Sequence, residues 1–259
     1  MRIRLSSWAR CLGLMVGLTW VLPGTGLAAS LEVNPVRLEL ETGARGVVVT
    51  VRNQGTETTR FQASVHTWVQ DEDGRMTLEP TQELFFFPSM LTLEPGESRP
   101  IRVGISSAPR DTERPFRLVI EEMPPLGPVP PAMGLKILTR VSIPVFVAPK
   151  LKAVQGRVED VDLRQSRFHF RVRNPGTVNF FIRQTRVRGL DARGQSLVEK
   201  DQVGWYVLPG GSQVFALDTS AEHCQRIRSL EVEVETDRGV FRQSAPVSAS
   251  EPCGPAQSP

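Results

Sequence analysis

Apolar and polar residues alternate along this chain in short runs of about five residues, the pattern of strands with one buried face. Gly, Pro, Asn and Asp separate the runs, as at Asn53–Gly55, Asp73–Gly74 and Asn174–Gly176. No segment combines helical spacing of apolar residues with capping residues. The pattern therefore predicts an all-β sandwich or barrel. The clearest runs are Val47–Val51, Phe61–Val65, Ile101–Ile105, Phe116–Ile120 and Val232–Glu235.

Two short motifs recur and divide the chain. Val51–Thr56 (VRNQGT) returns 121 residues later as Val172–Thr177 (VRNPGT), and Leu93–Ser98 has a looser echo in Leu208–Ser212. Two matches in the same order, about one sandwich apart, favour two tandem sandwiches over one large barrel. We place the boundary after Pro149, which predicts domains at 29–149 and 150–259.

The first 28 residues have the order of a secretory signal peptide. A basic leader precedes an apolar stretch from Leu12 to Leu22, which ends at Pro23 and a small-residue cleavage site before Ala29 or Ser30. The alternative is an uncleaved membrane anchor, but the apolar stretch is shorter than the roughly 20 residues that a spanning helix needs. We therefore expect the signal peptide at 1–28 to be cleaved and the product to be exported. The leader's basic residues are Arg2, Arg4 and Arg10.

Removal of the leader also changes the charge of the protein. The whole chain has 31 basic and 28 acidic residues, and the leader holds three of the basic ones and none of the acidic ones. The mature chain is therefore balanced, and no excess of positive charge predicts a nucleic-acid partner.

Export makes a disulfide between Cys224 and Cys253 feasible, although the two could equally remain separate thiols. We predict the pair. Three scattered histidines show no metal-ligand spacing, and no Gly-x-Ser-x-Gly elbow or pair of catalytic carboxylates stands out. The sequence thus predicts no metal, no cofactor and no catalytic site. The histidines are His66, His169 and His223.

The segment from Glu113 to Pro149 is the most informative part of the chain. After a proline-rich connection, Met133, Leu135 and Ile137 fall on one face if the segment up to Ile143 is a strand. The alternation alone is explained equally well by a half-buried strand of a closed sandwich.

Several separated motifs in this sequence resemble the periplasmic pilus (fimbrial) chaperones of the chaperone–usher pathway. They are Asn34–Leu38 (NPVRL) with Arg37 sixteen positions before Asn53, Leu93–Gly96 (LEPG), Glu122–Pro125 (EMPP) and Asn174–Thr177 (NPGT). Each motif alone is weak, but four in the expected order cover nearly the whole mature chain.

The resemblance implies two immunoglobulin-like sandwiches in an L shape with a cleft between them. It also implies that the last strand of the first domain, with Met133, Leu135 and Ile137, completes a pilus subunit that lacks one strand. Arg37 would hold the C-terminal carboxylate of that subunit. The implied partners are pilus subunits, an outer-membrane usher and, in the free protein, a second copy of the chain that caps the exposed strand.

The sequence departs from the family pattern at two positions. Ser142 stands where the family has a second cleft cation, a lysine, and Arg140 lies two residues earlier on the same face. Ala148 stands where the family has the arginine that pairs with the acidic residue at Glu113. We expect Arg140 or Ser142 to assist Arg37. The main alternative function is a secreted structural or adhesive sandwich, such as a pilus subunit.

Overall fold

The computed structural model describes residues 31–44, 46–71, 73–124, 137–247 and 253. The leader predicted at 1–28 lies outside these residues, as do Met133 and Leu135. The described chain is nearly all β-strand, as the alternation predicts, with one short helix.

The first half forms two sheets that pack on each other. One has the strand order β1-β3-β8-β6, and the other has the order β2-β10-β9-β4-β5 with β7 also paired to β4. The strands are β1 (Leu31–Asn34), β2 (Leu38–Leu40), β3 (Val47–Asn53), β4 (Thr59–Gln70), β5 (Met76–Pro80), β6 (Leu84–Phe87), β7 (Met90–Leu93), β8 (Ser98–Ile105), β9 (Arg114–Glu122) and β10 (Arg140–Val147).

The second half forms another pair of sheets, with the orders β11-β12-β16 and β14-β13-β17-β18, and β15 pairs with β13. The helix α1 begins after Ser220, whose side chain accepts a hydrogen bond from the backbone N–H of His223. The elements are β11 (Arg157–Arg164), β12 (Arg167–Arg173), β13 (Phe180–Leu190), β14 (Ser196–Gln202), β15 (Tyr206–Val207), β16 (Ser212–Asp218), α1 (Ala221–Arg226), β17 (Ser229–Thr236) and β18 (Gly239–Pro246).

The repeated asparagine makes equivalent hydrogen bonds in each sandwich. Asn53 is fully buried, and its side-chain amide donates to the carbonyls of Glu57 (2.8 Å) and Leu93 (3.0 Å). Asn174 is equally buried and donates to Val178 and Val207, both at 2.9 Å.

The other repeated motif, Leu93–Ser98 and its echo Leu208–Ser212, also forms a hydrogen bond with this asparagine. Gly96 donates its backbone N–H to the carbonyl of Asn53 at 2.9 Å, and Gly210 donates to Asn174 at 2.8 Å. The weak sequence echo therefore marks a shared corner, in which one buried asparagine satisfies backbone groups of two loops that would otherwise lack partners.

Each half has its own apolar core between its two sheets. In β9, Phe116, Leu118 and Ile120 point into the core of the first sandwich. Arg117 and Val119 alternate with them and so face the opposite side, yet both are also buried. A strand that is buried on both faces shows that another layer covers the outer face of this sheet.

Candidate functional site

Part of that layer is the second sandwich, which packs on the outer face of the β2-β10-β9-β4-β5 sheet. Trp68 of β4 and Phe146 of β10 meet Tyr206 and Leu208 of the second sandwich in a small apolar cluster. The Trp68 and Tyr206 rings are 5.5 Å apart edge to face, and those of Phe146 and Tyr206 are 5.4 Å apart. Burial of such large side chains stabilises the junction by roughly 1.5–3 kcal/mol each.

Hydrogen bonds connect the two sandwiches beside this cluster. The side chain of Gln70 donates to the carbonyl of Tyr206 at 3.0 Å and accepts from the backbone N–H of Leu208 at 2.9 Å. The junction is therefore specified by polar contacts as well as by apolar packing.

Arg37 lies at the end of this junction, between β1 and β2 rather than within the first strand. Its guanidinium is 3.0 Å from Asp237 of the second sandwich and 2.7 Å from Glu39 of its own sandwich. It also lies over the rings of Phe146 (4.9 Å) and Tyr206 (5.5 Å). Burial acts to lower the pKa of Arg37, but the charges of its acidic neighbours outweigh it and the pKa is raised. Arg37 therefore lies where the two sandwiches meet, between a carboxylate of each.

Glu113 provides a further polar link between the sandwiches. One of its carboxylate oxygens accepts from the backbone N–H (2.9 Å) and from the side-chain amide (2.7 Å) of Asn179. Burial raises the pKa of Glu113, while these hydrogen bonds and the charges of Arg238 and Arg37 oppose the shift. Ala148 stands where the family has an arginine, so it supplies no charge to Glu113. The positive charges near Glu113 come instead from Arg37 and from Arg238 in the β17–β18 turn.

The structure does not bring Arg140 and Ser142 to Arg37. Val145 of β10 pairs with Leu38, so Pro144 is the residue level with Arg37. Ser142 and Arg140 lie two and four residues further along the strand, about 7 and 13 Å away at the usual strand rise of about 3.3 Å per residue. Both are exposed, and Arg140 pairs with Glu121 at 2.8 Å.

A second cleft cation nevertheless exists, and the sequence reasoning missed it. Arg117 of β9 pairs with Pro144 across the sheet, so Arg37, Pro144 and Arg117 stand in one row on the same face. Adjacent strands are about 4.8 Å apart, which places the backbones of the two arginines about 10 Å from each other. The guanidinium of Arg117 lies 3.7 Å over the ring of Trp68, and burial lowers the pKa of Arg117. One signal was present in the sequence: Arg117 is the only charge within the apolar run Phe116–Ile120.

The comparison with known families bears on the first sandwich. Residues 30–152 match the family described as pili and flagellar-assembly chaperone, PapD N-terminal domain. The first sandwich therefore belongs to this family of pilus-assembly chaperones. This is a family with a non-enzymatic role. A search of curated protein sequences found no significant match.

Solved chaperone structures share the fold of this chaperone over both sandwiches. CsuC of Acinetobacter baumannii, solved with the tip subunit CsuE, is 18% identical with a TM-score of 0.54, covering 85% of this chain and 98% of that one. The YadV chaperone is 16% identical with a TM-score of 0.56, covering 84% and 100%. SafB of Salmonella enterica, solved with the SafA pilin, is 19% identical with a TM-score of 0.53, covering 83% and 96%. At these identities the likeness establishes the fold.

The predicted donor segment is described only at its end. Met133 and Leu135 lie outside the described residues. Ile137 is 72% exposed and does not belong to a strand, because β10 begins at Arg140. The prediction of one continuous strand from Met133 to Ile143 is therefore corrected at Ile137. Among the residues that the structure describes, no strand pairs with Ile137.

Within the described residues, one edge of β10 is covered along only part of its length. The strand β2 pairs with Val145–Val147, whereas Arg140–Pro144 have β9 on one side and no strand on the other. This uncovered edge begins next to Arg37 and leads outward to Ile137.

Cys224 of α1 and Cys253 form a disulfide in the second sandwich. Among the described residues, no group of histidine, cysteine, aspartate and glutamate side chains is arranged to hold a metal ion. No helix in the described part of the chain has the length and apolar character required to cross a membrane.

Proposed function

We propose that this chaperone acts in the periplasm, captures pilus subunits by donating its β10 edge to them, and delivers them to an outer-membrane usher. The sequence of residues 1–28 supports export, and the Cys224–Cys253 disulfide suits an oxidising compartment.

The observation that carries the proposal is the half-covered edge of β10. An exposed strand edge presents unpaired N–H and C=O groups, and folded proteins normally protect such edges. Among the described residues, no strand covers the edge of Arg140–Pro144, and the chain continues from it into Ile137, which is exposed. A subunit that lacks one strand would pair with this edge through backbone hydrogen bonds.

Side chains of the donor segment would supply the specificity of the interaction. The apolar residues of this segment are every second residue and would therefore lie on one face of a strand. They are Met133, Leu135 and Ile137, and they would enter three apolar pockets of the client. Their burial would contribute roughly 1.5–3 kcal/mol each, before the costs of association are subtracted.

The cleft end of the same edge would anchor the client's C-terminal carboxylate. Arg37 and Arg117 lie on either side of β10 at Pro144, with their side chains on the face that meets the second sandwich. A planar guanidinium binds a carboxylate through two charge-assisted hydrogen bonds. Such an anchor would also set the register of the client strand, because a slip of one residue would turn its side chains to the wrong face.

The test is co-purification of the chaperone with a pilus subunit encoded in the same gene cluster. Replacement of Leu135 and Ile137 by Asp should abolish recovery of the subunit, with an unchanged circular dichroism spectrum. Leu138→Asp is the matched control, because this exposed neighbour has the opposite strand parity and should leave capture intact. Equal recovery with the double variant and the wild type would disprove donor-strand capture.

The same edge would also pair with a second copy of the chaperone when no client is present. Such a dimer should dissociate when the subunit is added, and size-exclusion chromatography of the free and client-bound chaperone would show the change.

A further inference from the structure

Arg37 already has carboxylate partners in the unbound chaperone. Nη1 donates to Oδ2 of Asp237 at 3.0 Å, and Nη2 lies 2.7 Å from a carboxylate oxygen of Glu39 and 3.4 Å from the side-chain oxygen of Asn179. Nε is buried and has no hydrogen-bond partner in the described part of the chain. Because Nε is buried, a client carboxylate that makes a bidentate contact with Arg37 would use the same two terminal nitrogens.

Asp237 is held firmly in its position. Its second carboxylate oxygen accepts from the backbone N–H of Phe181 at 2.7 Å, and its own N–H donates to the carbonyl of Phe181 at 3.0 Å. The hydroxyl of Thr236 closes the turn, since it accepts from the N–H of Arg238 (3.1 Å) and donates to the carbonyl of Gly239 (2.7 Å). This β17–β18 turn thus presents a preorganised carboxylate to Arg37.

The charges around Arg37 are balanced without a client. Arg37 and Arg238 both contact Glu39, at 2.7 and 3.7 Å, and Asp237 contacts Arg37. The positive charges of both arginines also act to lower the pKa of the nearby Glu113. One more carboxylate at Arg37 would add a negative charge beside Glu39 and Asp237, and like charges at such distances repel.

We propose, as an extension of the anchoring function above, that Asp237 occupies the place of the client's C-terminal carboxylate on Arg37. The client must displace Asp237 to bind, so Asp237 determines how strongly the cleft prefers a client with a free C-terminus. Because the Arg37–Asp237 pair joins the two sandwiches, client binding also loosens the domain junction. By linkage, a change at Asp237 that weakens this pair and leaves Arg37 intact strengthens client anchoring.

The experiment compares two synthetic peptides that copy the last part of the subunit, about 12 residues and thus long enough for one strand. One peptide has a free C-terminal carboxylate and the other has an amide. Isothermal titration gives the ratio of the two affinities for each chaperone variant. The ratio is the informative quantity, because partial unfolding of a variant weakens both peptides alike.

Asp237→Asn should raise the preference for the free acid by about tenfold, equivalent to about 1.4 kcal/mol, while the affinity for the amide stays unchanged. Glu39→Gln should raise the preference as well, because it removes the charge of the other carboxylate on Arg37, although it also weakens the 3.7 Å pair with Arg238. The matched control is Asp201→Asn, which breaks a 3.1 Å pair with Arg186 inside the second sandwich and should leave the ratio as in the wild type.

Two results would overturn the inference, and only the second would also overturn the proposed function. If the wild type prefers the free acid and Asp237→Asn does not change that preference, Asp237 does not compete with the client, and the proposed function stands. If the wild type binds neither peptide, the proposed capture mechanism fails together with this inference.

Discussion

Arg117 is the residue whose replacement tests the physical reasoning most directly. Arg117 is only 6% exposed, and no carboxylate pairs with it among the described residues. An arginine remains charged at all accessible pH values, so its burial costs free energy that an ion pair would normally offset. We explain this uncompensated charge by a function, namely the binding of a client carboxylate.

The substitution Arg117→Met removes the charge and keeps a long, flexible side chain against Trp68. The cation–π contact that is lost is worth about 0.5–2 kcal/mol, and a sulfur–aromatic contact of about 0.3–1.5 kcal/mol replaces it. Replacement of a buried ion pair by apolar residues of similar volume is often neutral or stabilising by about 1–4 kcal/mol, and Arg117 has no ion-pair attraction to lose. We therefore expect the free energy of unfolding to rise by about 1–2 kcal/mol.

The same substitution should weaken the capture of clients with a free C-terminus by a few kcal/mol, the range for truncation of one partner of a buried charge pair. Urea denaturation measures the stability, and co-purification with intact and C-terminally extended subunits measures the capture. Arg99→Met serves as the control, since Arg99 is exposed and pairs with Glu97. Its effect on stability should stay within about 0.5 kcal/mol.

Two results would refute this reasoning. If Arg117→Met lowers the free energy of unfolding by more than about 1 kcal/mol, the buried charge is stabilising and needs no functional explanation. If the variant captures intact subunits as well as the wild type does, Arg117 is not part of the anchor.

Two further predictions concern stability. Cys224→Ser with Cys253→Ser should lower the free energy of unfolding by about 3–4 kcal/mol in urea, because the bridge closes a loop with a sequence separation of 29; a loss below about 1 kcal/mol would contradict the chain-entropy account. Burial raises the pKa of Glu113, so the folded state favours the protonated acid, and this contribution is present at low pH and lost as pH rises through the raised pKa. Glu113→Gln keeps an acceptor for Asn179 without the charge, and should therefore gain stability over the wild type as pH rises from about 4 to 8. Glu94→Gln, at an exposed turn, is the control. If the stability of Glu113→Gln relative to the wild type falls as pH rises, the pKa of Glu113 is lowered in the folded state and not raised.

Much of the architecture could be predicted from the sequence because its determinants are local. In sheets with one buried face, alternation of apolar and polar residues encodes each strand directly. The pairs Asn53 with Gly96 and Asn174 with Gly210 repeat because each sandwich needs the same satisfied corner. The family motifs are short contiguous segments and are therefore also visible in the sequence. The family match at residues 30–152 agrees with those of the first sandwich.

The arrangement of the cleft depended on contacts between distant parts of the chain. Arg37 and Asp237 are 200 residues apart, and only the packing of the two sandwiches brings them together. The register of β10 against β2 places Pro144 beside Arg37, whereas the family pattern had led us to expect Arg140 or Ser142 to assist Arg37. Arg117 was hidden because one strand sequence does not reveal a second buried face. Hydrophobic alternation reports which residues leave water, whereas register and domain packing decide which of them meet.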